Sequence, residues 1–183
     1  DQGGQLQKSD SVDLNGHVSI AEDTVIQTNR GVDATGANIV FNGTLDDYDA
    51  LSDSLTIVAG SGNVTFNGRV GQNLHGYGTD LASIHIESAN DVNLDMAFGR
   101  HGDGFSVGSL IIEGSSHQPG AVDVTAHDAY ISTVNPDGGD AGNVKIVTSG
   151  NVEIGRGILA YGTVGDGGPG AGGNVIIKAG GCV

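Results

Sequence analysis

The stretch from Asn143 to Gly181 begins to repeat itself before it ends. Asn143-Val144-Lys145-Ile146 returns 31 residues later as Asn174-Val175-Ile176-Ile177, and each copy follows a glycine-rich run. Between the copies lie two more short apolar segments, Asn151-Val152-Glu153-Ile154 and Gly157-Ile158-Leu159-Ala160-Tyr161. One period therefore holds three candidate strands and their turns. A period of about 20–50 residues made of short strands points to a solenoid, because each repeat buries its apolar side only by stacking on its neighbours.

The pattern extends towards the N-terminus. Ser11-Val12-Asp13-Leu14, His17-Val18-Ser19-Ile20 and Thr24-Val25-Ile26-Gln27 alternate apolar and polar residues over stretches too short for helices. From residue 36 the segments align in columns. The first holds Asn38–Phe41, Ser54–Ile57, Ser83–Ile86, Ser109–Ile112, Asn143–Ile146 and Asn174–Ile177. The second holds Asn63–Phe66, Asp91–Leu94, Ala121–Val124 and Asn151–Ile154, and a weaker third runs through Val70, Met96–Phe98, Tyr130-Ile131 and Ile158–Ala160. Period-2 geometry turns the outer residues of each triplet inward and the middle one outward. The outward set is Val40, Thr56, His85, Ile111, Lys145 and Ile176 in the first column, and Thr65, Asn93, Asp123 and Glu153 in the second. The expected fold is an all-β parallel β-helix of about six coils, three short strands to a coil. It occupies one domain, residues 1–183, with residues 1–10 loose or capping.

Glycine, 33 of 183 residues against 3 prolines, is dispersed between the apolar triplets as turn punctuation. A formal charge of −15 argues against nucleic acid or an anionic membrane as partner. No run of 18 apolar residues is available to insert into a membrane. The lone Cys182 has no internal disulfide partner, so its candidate role is a link to another chain. A chain that starts at Asp1 without a leader-like segment is expected to be a processed protein or a fragment.

Few residue constellations suggest chemistry. Asp137, Asp140 and Asp166 sit in Gly/Asp-rich loops that superficially suit calcium. Calcium takes six to eight oxygens, however, and these acids do not recur in register, so glycine-permitted turns are the preferred reading and no cofactor is expected. The six histidines are scattered, and the nearest approach to a ligand pair is His101 with Asp103. Asp123 and Glu153, adjacent in the second column, are the carboxylates a polysaccharide lyase or hydrolase would need at about 5–9.5 Å. No aromatic platform accompanies them. Asn38, Asn143 and Asn174, with Asn63 and Asn151, open strands where stacked amides can form ladders.

The segments Gly36–Leu45, Ser54–Gly71 and Leu81–Ile84, with the pattern Gly139-Asp140-Ala141-Gly142-Asn143-Val144-Lys145-Ile146, resemble repeats of large secreted bacterial exoproteins of the filamentous-haemagglutinin-like type. The resemblance covers roughly residues 36–180. It implies a right-handed parallel β-helix, export to the cell surface, and adhesive or fibre-forming roles, and it supplies no catalytic motif. Those proteins are typically far longer than this chain.

The functional expectation is a non-enzymatic, extracellular structural subunit that self-associates head to tail into a filament. Ile111 and Ile176 would make lateral contacts and Cys182 a covalent lock, with a rod on the order of 30 Å for six coils. The alternative is the rod of a surface adhesin that binds a cell-surface glycan or protein through the long loops Gly71–Leu81, Ala97–Gly108 and Thr133–Gly142. A glycan-processing enzyme ranks behind both.

Overall fold

The computed structural model describes residues 11–29, 35–48, 53–71, 81–94, 105–114, 120–127, 130–134, 139–165 and 168–183. All regular structure in these segments is strand; apart from a short antiparallel pair, Val164–Gly165 with Gly168–Pro169, the strands wind as a parallel β-solenoid. Three ladders run along it.

The first ladder joins Thr24–Gln27, Ser54–Val58, the first half of Leu81–Asn93, the second half of Phe105–Ile112, Val144–Thr148 and Val175–Ala179. In the second lie Val12–Leu14, Ile39–Phe41, Val64–Phe66, the end of Leu81–Asn93, Gly120–Ala126 and Val152–Ile154. The third pairs Val18–Ile20 with Leu45–Asp47, bridges Leu45 to Val70, and links Phe105-Ser106, Tyr130–Ser132 and Gly157–Leu159. Four turns carry all three sides as separate strands. They are the two that begin at Val12 and Ile39 and the two that begin at Gly120 and Val152.

Two sequence assignments are corrected by this register. Ile39 pairs with Val12 and Val64, so Asn38–Phe41 belongs to the second ladder, and Val25 takes the place given to Val40 on the first. The apolar-polar-apolar triplet looks alike on all three sides of a coil. Only the distance along the chain to the next equivalent residue separates the ladders, and Leu55 follows Ile39 too soon to be one turn away. In Gly120–Ala126 the alternation slips at a corner: Ala121 is buried, Val122 is 40% exposed, and Val124 and Ala126 are buried. The outward residue in register with Asn93 and Glu153 is therefore Thr125, and Asp123 pairs with Asp91.

The interior is a stack of like residues. Leu55, Ile84, Leu110 and Val144 align rung upon rung, as do Ile57, Ile86, Ile112 and Ile146, and all eight are fully buried. Each such burial is worth about 1.5–3 kcal/mol. On the second ladder the rings of Phe41 and Phe66 stack at 4.8 Å and 7°, the spacing of the rungs that carry them. Leu81–Asn93 passes from the first ladder to the second without a break. Its corner is held by the fully buried Ser88, whose Oγ accepts the Gly60 N–H at 3.0 Å.

The expected asparagine ladders exist, mostly in a different form. A side-chain oxygen at one corner accepts the backbone N–H of the same corner one coil later. Asn143 Oδ1 receives Asn174 N at 2.9 Å, Asn38 Oδ1 receives Asn63 N at 2.9 Å, and Asn151 Oδ1 receives Cys182 N at 2.9 Å. Ser109 and Asp23 do the same for Asn143 and Ser54. Amides bond directly to amides at another corner, Asn67 to Asn42 and Asn42 to Asn15, each at 2.8 Å. Asn143→Ala removes one such acceptor, and the expected loss is about 1 kcal/mol in chemical unfolding. Asn143→Asp should recover most of it, since a carboxylate oxygen accepts the same bond.

Candidate functional site

Outward side chains of the second ladder form a polar groove of about 500 Å³. Alternation explains its walls. Val64, Val92, Val124 and Val152 point into the core, so Thr65, Asn93, Thr125 and Glu153 point out in register. Two residues earlier on each strand, Asn63, Asp91, Asp123 and Asn151 form a parallel row at the corner, and all eight outward residues line the groove. His127 also lines the groove, with Nε2 2.8 Å from Glu153 Oε1; both side chains are exposed.

Both corner acids are tied down by hydrogen bonds, Asp123 to the backbone and Asp91 to a side-chain amide. Asp123 Oδ1 accepts Asn151 N at 2.5 Å, and Asp91 Oδ2 accepts Asn90 Nδ2 at 2.9 Å. Asp123 and Glu153 thus share the groove but not a register position, so they are not the stacked carboxylate pair suggested by the sequence. Asp91, Thr125 and His127 were missed. Strict two-residue stepping from Asp123 would have reached Thr125 and His127.

The outward face of the first ladder is mixed. Val25 is 64% exposed and Ile176 is 42% exposed, while Ile111, Lys145 and Ile176 align in register. Lys145 Nζ pairs with Glu113, whose backbone carbonyl accepts from His85 Nε2 at 3.3 Å. Here Lys145 breaks the apolar stripe between Ile111 and Ile176.

Asp140 Oδ1 accepts Ala171 N at 2.6 Å, the same coil-to-coil bond as at the asparagine corners. Asp137 and Asp166, like His101 and Asp103, lie outside the described residues, as do most of the three long loops. Among the described residues no three His, Cys, Asp or Glu side chains converge as a metal cage. No helix among them is long and apolar enough to cross a membrane. Cys182 is exposed; its N–H donates to Asn151 Oδ1 and its carbonyl accepts from Val152 N, each at 2.9 Å.

At the last rung of the first ladder, Val175–Ala179 pairs with Val144–Thr148 on one side only among the described residues. Val175 continues the inner column of Leu55, Ile84, Leu110 and Val144, yet it is 47% exposed. Comparison with protein-family models, curated proteins and solved structures finds no match to this chain.

Proposed function

We propose that this chain is an extracellular structural protein of a bacterial surface, a β-solenoid unit that stacks head to tail into a filament. The single observation that carries the reading is the open rung at Val175–Ala179. Its inner-column Val175 is 47% exposed where four predecessors are fully buried, and its outer backbone edge has no partner among the described residues. Unpaired edges of this kind recruit another strand. A further strand with the same apolar pattern fits both the ladder spacing and the inner column, and in this reading the first coil of a second copy supplies it. Head-to-tail contacts that do not close give a filament.

In this reading the coil is right-handed and has six turns. Parallel strand–crossover–strand connections are right-handed in about 98% of cases, and the strands of the first ladder support the count. The surface location is inferred from the resemblance of the repeat pattern to filamentous-haemagglutinin-like exoproteins. Ile111, Ile176 and the exposed Cys182 are the proposed lateral and covalent contacts. A second reading, the rod of an adhesin, draws on the polar groove, which places a contact surface on the rod itself rather than on its loops.

Electron microscopy and sedimentation of residues 1–183, with and without reductant, test the assembly. Fibres with a repeat on the order of 30 Å are expected. Val175→Lys with Ile177→Lys, which places charge in the open inner column, should convert fibres to soluble units. Uniform monomers of the unaltered chain at high concentration would overturn the filament reading and leave the adhesin rod.

A further inference from the structure

We propose that the groove on the outward face of the second ladder binds an extended amino-sugar chain with free amines, laid along the solenoid axis. The site is independent of head-to-tail stacking. Its ligand class follows from what lines it and what does not.

Two rows of side chains run along the groove at the ladder spacing of about 4.8 Å per rung. Thr65, Asn93 and Thr125 offer hydroxyl and amide groups that both donate and accept, a repeated template for sugar hydroxyls. In the neighbouring row Asp91 and Asp123 stand in register on adjacent strands. Like charges directly opposed across a ladder are destabilising. One oxygen of each is engaged by Asn90 or by the Asn151 N–H, which fixes both carboxylates in place. An ammonium group seated between them neutralises the repulsion and accepts the geometry as it stands.

Neither Lys nor Arg lines the groove, and its one basic side chain, His127, is paired with Glu153, so the acids disfavour uronate, sulfated or phosphorylated chains. The acids are strung along the axis rather than gathered at a point, and no metal cage forms among the described residues. An extended polyvalent cation fits that distribution better than a single metal ion. A lysine-rich peptide would satisfy the acids but leave the threonine and asparagine row unused. A sugar chain, with one residue spanning about one rung, uses both rows. Because no Phe, Tyr or Trp lines the groove, binding rests on charge and hydrogen bonds and weakens with salt.

Calorimetry of residues 1–183 with three probes tests this: a glucosamine hexamer, its fully N-acetylated counterpart, and hexalysine. The glucosamine hexamer is expected to bind, with the other two at least tenfold weaker. Asp91→Asn and Asp123→Asn each keep an acceptor oxygen and remove the charge. Each should weaken glucosamine binding about tenfold or more, while thermal unfolding of the free protein stays level or rises as the repulsion disappears. Absence of binding, equal affinity for the acetylated hexamer or hexalysine, or affinity unchanged in both variants would each overturn the proposal.

Discussion

Phe66→Ala is expected to destabilise the protein by about 3–5 kcal/mol, the range for truncating a fully buried aromatic residue. Phe66 has no exposed surface and its ring lies on that of Phe41 at 4.8 Å. Removing it takes away its own burial and also uncovers one face of Phe41. The rungs around the cavity cannot collapse into it, because backbone pairing from Ile39–Phe41 through Val64–Phe66 to Val92 holds the coil spacing. Phe66→Leu keeps most of the volume and should cost less than about 1.5 kcal/mol. The measurement is the midpoint and slope of urea unfolding. A loss below about 1 kcal/mol for Phe66→Ala would mean that the ring is not in the core.

Gly142→Ala should cost roughly 3 kcal/mol, at the upper end of overpacking penalties. Gly108, Gly142 and Gly173 stack at one corner of successive coils. A Cβ built on Gly142 overlaps the Gly108 carbonyl oxygen, and one built on Gly173 overlaps that of Gly142. These neighbours are backbone atoms, the Gly142 carbonyl itself accepting from Thr133 Oγ1 at 2.9 Å, so the coils must part to make room. Gly16 is the matched control. A Cβ there meets nothing within 4 Å, and Gly16→Ala should stay within about 0.5 kcal/mol. Similar losses for both glycines in thermal unfolding would contradict the stacking of the Gly142 corner. The contrast explains most of the described corner glycines in physical terms: where corners of successive coils come into backbone contact, no side chain fits.

Much of the fold was legible because burial in a solenoid is local and repetitive. The triplet Val144-Lys145-Ile146 and its echo Val175-Ile176-Ile177 pair residue for residue, as their 31-residue offset requires. The candidate groove was legible only in part. Glu153 was placed correctly on the outward face, but Asp123 was assigned one alternation step away from its true partner. The cause is the corner in Gly120–Ala126, where the two-residue period is interrupted and a sequence pattern carries no mark of the interruption. Ile39–Phe41 was misplaced for a related reason, since each side of the coil has the same apolar-polar-apolar rhythm.

By itself the sequence determined that the chain is built of short stacked strands, that glycine supplies the corners, and that Val, Ile and Leu supply the core. These follow from period and composition, which act within one turn. Tertiary structure decided which triplets share a ladder, which polar residues meet across rungs, and that asparagine corners bond to the backbone of the next coil. Those contacts join residues some 25–34 positions apart, between Asn38 and Asn63 at one extreme and Ser109 and Asn143 at the other. Each depends on the length of every intervening turn, a quantity set by how the coil closes and not by the residues that finally touch.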